Sequence, residues 1–255
     1  MEKVPGTFFR GWGVFGGILL RKWHPPFRFW GMGRPPRAAA GGFVYHVLNR
    51  ANARGRIFDH AGDYAAFERV LEEAVARSGM RLLAYCVMPN HWHLVVWPRE
   101  DGELSRFVGW LTLTHTQRWH AYRGTAGCGH LYQGRFKSFP VETDEHFYSV
   151  ARYVERNPLR AGLVERAEDW KWCSLARWLR GSHEDQSLFA AWPIPRKSDW
   201  VERVNAPLTP SEQTAVQRCI ARGRPYGNPL WSEAAIERLG LQSTLRDRGR
   251  PRRSA

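Results

Sequence analysis

The stretch Val87-Met88-Pro89-Asn90-His91-Trp92-His93-Leu94-Val95-Val96-Trp97 decides the fold reading. Its apolar, β-branched and aromatic run, opened by a Pro-Asn turn signal, predicts a buried strand. Successive strand side chains point to opposite faces, so His91 and His93 emerge together while Trp92, Leu94 and Val96 face the other way. Two imidazoles on one rigid face supply half of a divalent-metal site. Two histidines that merely tolerate a strand are the plain alternative.

Working outward, Leu82 to Val87 reads as the preceding strand, joined to this one through Pro89-Asn90 as an antiparallel hairpin. Upstream, Phe43 to Asn49 alternates as a first strand. Between them Tyr64, Phe67, Val70, Leu71, Ala74 and Val75 recur at helical spacing over Asp59 to Ser78, with Gly79 as the stop. Downstream, Leu104 to Tyr122 predicts a helix with Leu104, Phe107, Val108, Leu111, His115 and Trp119 on one core-facing stripe. His115 and His120 are read there as core or surface residues, not ligands. Gln133 to Val141 contains a short basic strand with Arg135 and Lys137. Thr143 is expected to cap a third helix with Asp144 and Glu145 in its first turn, and Pro158 to end it near Asn157. The order β-α-β-β-α-β-α predicts an α+β domain, an antiparallel sheet with helices packed on it, ferredoxin-like or RNA-recognition-like.

The chain of 255 residues carries a formal net charge of +14, with a pI of about 10.3. Arginines spread along the whole length favour a polyanionic partner, nucleic acid before membrane. The isolated cysteines Cys86, Cys128, Cys173 and Cys219 lack Cys-x-x-Cys spacing, which argues against a zinc ribbon or disulfide scaffold and suits a reducing cytoplasm. No apolar run reaches transmembrane length. The expected location is cytoplasmic, at the nucleoid, with no membrane partner.

Tyr153 and Asn157, four apart near the end of the third helix, share a face. Taken singly, they are an amphipathic-helix tyrosine and a helix-end amide before proline. Packed over the strand, Asn157 makes with His91 and His93 three ligands for a divalent ion. Nitrogen and oxygen donors without thiolate suit Mg²⁺ or Mn²⁺, although imidazoles also accept Zn²⁺. An ion polarising a phosphate allows a tyrosine phenolate to attack phosphorus, and the resulting bond keeps its energy for a rejoining step.

Four motifs carry a resemblance: Tyr45-His46-Val47, Met88-Pro89-Asn90-His91-Trp92-His93, the run from Gly129 to Ser138 (Gly-His-Leu-Tyr-Gln-Gly-Arg-Phe-Lys-Ser), and the run from Tyr153 to Leu163 (Tyr-Val-Glu-Arg-Asn-Pro-Leu-Arg-Ala-Gly-Leu). In order and spacing the chain resembles the single-tyrosine HUH transposases, specifically the REP-associated tyrosine transposases, over roughly residues 33 to 178. Trp92 is bulkier than the aliphatic usual between the two histidines but stays hydrophobic. The resemblance implies that His91 and His93 are paired metal ligands with Asn157 the third. It implies that Tyr153 is the nucleophile, cleaving single-stranded DNA to a 5′-phosphotyrosine and a free 3′-OH. It implies as substrates short palindromic repeats that fold into hairpins beside a guide sequence. Arg135 and Lys137 are expected phosphate contacts, or else a solvated strand face, and His46 a structural strand residue.

Residues 1–32 read as a poorly ordered extension, with Met32 as the natural start; residues 33–178 form the transposase-like domain, and 179–255 a basic, helical, DNA-contacting extension. Within that extension, short helices are expected at Ser211 to Ala221 and Trp231 to Leu239, too short to favour a helix-turn-helix. Arg-Gly-Arg-Pro occurs at Arg222 to Pro225 and at Arg248 to Pro251, where Pro and Gly would keep Arg222, Arg224, Arg248 and Arg250 extended for a minor groove. A disordered tail with non-specific phosphate attraction is the alternative. The leading expectation is a metal-dependent, site-specific single-strand DNA nickase and strand transferase, monomeric or dimeric. Its rivals are a repeat-binding protein that does not cleave, a zinc hydrolase using water, and an RNA-binding module.

Overall fold

The computed structural model describes residues 39–246; the expectations for residues 1–32 and for Arg248 and Arg250 lie outside them. The ordered chain runs β1 (Val44–Arg50), α1 (Ala61–Ser78), β2 (Arg81–Met88), β3 (His91–Trp97), α2 (Glu103–Arg123), β4 (Lys137–Val141), α3 (Glu145–Glu155) and α4 (Asn157–Arg160). It continues through α5 (Ser174–Arg180), α6 (His183–Ser187), α7 (Trp200–Asn205), α8 (Pro210–Arg222) and α9 (Pro229–Leu239). The sheet order is β2-β3-β1-β4 with every pair antiparallel, the ferredoxin-like arrangement expected.

The alternation in β3 splits the core in two. Trp92, Leu94 and Val96 pack with Phe67, Leu71, Phe107 and Leu111 under α1 and α2. Val95 packs with Phe139, Phe147, Val150 and Val154 under α3 and the later helices. Gly79 closes α1 in the left-handed conformation (φ 67°), as its position predicts.

Three local expectations are corrected. The fourth strand begins at Lys137, so Arg135 lies in the preceding loop; Gly134 turns there at φ 70° while Gln133 N–H donates to Arg50 O. The cap of α3 is Asp144, not Thr143, because its carboxylate accepts from His146 N–H at 2.8 Å. Pro158 does not end the helical run. Arg156 stays right-handed (φ −83°, ψ −8°), and Pro158 falls in the first turn of α4, where no N–H is required of it.

The C-terminal helices are tied to the sheet. Trp192 Nε1–H donates to Leu83 O at 2.8 Å, and Ala190 N–H to Leu82 O, along the outer edge of β2. Glu155, fully buried, accepts from Ser174 Oγ (2.6 Å) and Trp200 Nε1 (2.7 Å), which satisfies a carboxylate whose pKa burial raises. The first Arg-Gly-Arg-Pro copy is folded rather than extended. Arg222 ends α8, Gly223 caps it at φ 74°, and Tyr226 pairs with β4 through Tyr226 N–H to Pro140 O and Glu142 N–H to Tyr226 O, both 2.9 Å. Among the described residues, no helix is long and apolar enough to cross a membrane.

Candidate active site

Strand register places the functional side chains in rows. His93 pairs with Leu48, and Leu48 with Lys137, so Lys137 shares the sheet face of His93 two strands away. His91 pairs with Arg50 across β1 and β3, and His46 lies beside Phe139. Over this face α3 brings Tyr153, whose ring centroid is 5.9 Å from His93 and 6.4 Å from His46, both edge-on.

The imidazoles are held from behind. His91 Nδ1 is 2.6 Å from Asn90 Oδ1, an oxygen that can only accept, so Nδ1 carries the proton and Nε2 keeps its lone pair. His93 Nδ1 is 2.9 Å from His46 Nε2. His93 Nε2 is buried and has no hydrogen-bond partner. A buried polar nitrogen left this way costs stability unless something else binds it. Burial holds all three rings neutral: His46 falls to about 3, His91 to about 4, and His93 well below the ordinary 6.5. Neutral imidazole is the form that ligates a metal.

Asn157 is fully buried, its Nδ2 donating to Tyr153 O (3.0 Å) and its Oδ1 accepting from Arg160 Nη2 (2.5 Å). The Arg160 guanidinium also lies 5.0 Å from the Tyr153 ring centroid. Tyr153 is 5% exposed, and its hydroxyl makes no hydrogen bond among the described residues. Burial raises its pKa, opposed by the charges of Arg160 and Arg50. The donor set fits a divalent ion: the orphaned His93 Nε2, the oriented His91 Nε2, and an amide oxygen with a second lone pair.

His91, His93, Tyr153 and Lys137 thus share one face, with Asn157 bonded to the Tyr153 backbone below it. Arg135 is separate, on the rim of a groove of about 560 Å³ with Asn49, Thr112, Thr116 and Tyr132. Arg222 and Arg224 flank Gly223, where an added Cβ would lie 3.5 Å from Ser138 O, so they sit at the outer edge of β4 next to Lys137. His46, expected from the sequence to be a structural strand residue, adjoins His93, and Asn90, Arg50 and Arg160, to which the sequence reading gives no role in a site, adjoin the candidate site as well.

Glu142, Asp144 and His146 are the one cluster of carboxylates and imidazole among the described residues close enough to share an ion. Its atoms already have structural work. Glu142 accepts from Asn228 N and Nδ2 at 2.7 Å, and Asp144 Oδ1 accepts from His146 N–H.

The antiparallel sheet thus carries paired imidazoles under a helix-borne tyrosine. Residues 40–157 match the model of the family described as "Transposase IS200 like". Among solved structures, a REP-associated tyrosine transposase bound to a REP hairpin is 17% identical, with a TM-score of 0.49, covering 66% of this chain and 96% of its own. A candidate transposase from Deinococcus radiodurans R1 is 18% identical, with a TM-score of 0.35, covering 48% and 96%. No curated protein matches the sequence.

Proposed function

We propose that this protein is a metal-dependent, site-specific single-stranded DNA endonuclease and strand transferase that works through a 5′-phosphotyrosine. The observation that carries the reading is the buried, partnerless His93 Nε2 beneath the Tyr153 ring, on the face that also carries His91. His91, His93 and Asn157 would hold Mg²⁺ or Mn²⁺, which when bound withdraws charge from the scissile phosphate. Tyr153 Oη, having lost its proton to solvent, attacks phosphorus; the P–O3′ bond breaks, and the departing 3′ oxygen takes up a proton to leave a 3′-OH. The reverse reaction with another 3′-OH joins strands. Burial makes the phenolate harder to form, and the cations Arg50 and Arg160 counter that.

The substrate class follows from the motif resemblance and the basic surface: single-stranded DNA hairpins formed by palindromic repeats, with a flanking guide sequence. Lys137, Arg222 and Arg224 would track phosphates along the β4 edge, with Arg135 on a separate rim. These contacts position DNA without reading its sequence. The test uses hairpin oligonucleotides from repeats near the native gene, labelled at the 3′ end and incubated with protein and Mg²⁺ or Mn²⁺. Label should travel with protein in a denaturing gel, and vanish with EDTA or in Tyr153→Phe. Cleavage that survives Tyr153→Phe would overturn the reading in favour of metal-activated water. Binding without cleavage under any metal would leave a repeat-binding protein of the same fold.

A further inference from the structure

Besides Lys137 on the sheet face, two further cations bear on the site. Arg50 and Arg160 both act on His91, His93 and Tyr153, and among the described residues neither forms an ion pair with a carboxylate. Arg50 Nε is itself buried without a hydrogen-bond partner. Arg160 is exposed along its length, yet its head turns inward over Tyr153 and onto Asn157 Oδ1. Its remaining N–H donors stay available to an anion, and a charge-assisted bond to an anion is stronger than the contact with a neutral amide or a ring face.

Asn157 Oδ1 is also the oxygen that the metal reading assigns to the ion. We infer that Arg160 and the divalent ion compete at this oxygen, through the repulsion of two cations rather than a shortage of lone pairs, and that the displaced guanidinium then binds the scissile phosphate. Arg160 thereby makes ion binding depend on DNA. Without a phosphate, an incoming ion must evict one cation and sit near a second, with no anion present to offset either. With a phosphate in place, Arg160 has a better partner, and the repulsion falls. The inference rests on the reading of Asn157 as a ligand, and its test separates the two.

Mn²⁺ is titrated into DNA-free protein and the free ion read by electron paramagnetic resonance, for the parent chain, Arg160→Gln, Asn157→Ala and the double variant. Arg160→Gln should tighten Mn²⁺ binding by about tenfold while lowering cleavage of the hairpin substrate. Asn157→Ala should weaken Mn²⁺ binding, and in that background Arg160→Gln should give a smaller gain. A residue that only props the site would move ion affinity and cleavage down together. Unchanged or weaker Mn²⁺ binding in Arg160→Gln, with Asn157→Ala still harmful, overturns the competition and leaves the metal reading standing. Mn²⁺ binding indifferent to Asn157→Ala, or absent from all four proteins, overturns the metal reading and this inference with it. Because Arg160 is exposed, the single substitution tests the site without threatening the core.

Discussion

Two buried histidine groups lie on opposite faces of the same sheet, and adjacent residues of β3 lead to each. On the α1–α2 face, the Trp92 side has a hydrogen-bonded chain: Trp92 Nε1–H donates to Tyr132 Oη at 3.0 Å, and that hydroxyl lies 2.7 Å from His115 Nδ1. Phe58 stacks on the His115 ring and Phe67 meets it edge-on, at 5.5 and 5.1 Å. On the other face, His93 has one nitrogen bonded to His46 and the other to nothing. Both imidazoles are buried to nearly the same degree, 3% and 2% exposed. Burial of the ring alone therefore does not tell a structural histidine from a functional one: His115 lines an open groove with Asp63 and Trp119, whereas the second nitrogen of His93 is itself buried with no partner.

The sharpest way to break this comparison is to delete each ring. His93→Ala should abolish covalent adduct formation in the folded fraction, at a stability cost below that of His115→Ala because a partnerless buried nitrogen leaves with the ring. His115→Ala should cost about 3 kcal/mol of stability and leave cleavage by the folded fraction intact. If His115→Ala instead removes cleavage in protein that remains folded, the two faces are not distinct in role.

Replacing His46 by alanine comes next. Its nitrogen holds His93 in orientation, and loss of such a partner weakens metal affinity by about 10–100-fold. Isothermal titration with Mn²⁺ would show this, and His46→Gln, which keeps an acceptor, should recover part of it.

Acidification should act on both faces at once. His46, His91, His93 and His115 all titrate below the ordinary 6.5 because burial disfavours the charged ring. The unfolded chain thus takes up protons first as pH falls. Stability is full above about pH 7 and declines between about 6.5 and 4, each ring contributing up to about 1.4 kcal/mol per pH unit. Thermal melts should fall steadily from pH 7 to 5. Mn²⁺ should raise the melting temperature across this range and leave the slope unchanged, because His91 and His93 are already neutral in the folded chain. No rise with Mn²⁺, or a rise that survives His93→Ala, would place the ion elsewhere. The smallest effect is expected from Asn90→Ala, a loss of Mn²⁺ affinity below that of His46→Ala, since His91 is partly exposed and can find water for Nδ1.

The sheet and its paired imidazoles were legible because period-two alternation is a strong local signal, and β1 to α3 occur in the order read from it. Arg50 obeys the same alternation as His46 and Leu48, so its place on the His91 face was within reach. Arg160 was hidden by Pro158: a helix expected to stop near Asn157 has no further turn to carry an arginine back over Tyr153. His46 was read as structural, and its bond to His93 depends on two strands distant in sequence, which no local pattern encodes. The fold of Arg222 to Tyr226 was misread for a related reason, since the partner that bends it is the edge of β4.

That edge bears on how copies of the chain can assemble. A ferredoxin-like sheet ordinarily leaves two outer strands whose main-chain groups invite a strand from another molecule. Here residues 172 to 192 occupy the groups of β2, and Tyr226 those of β4, with Gly223 seated against Ser138. A second copy seeking to pair at β2, or at Pro140 and Glu142 along the β4 edge, would first have to strip the chain's own C-terminal segments from the sheet.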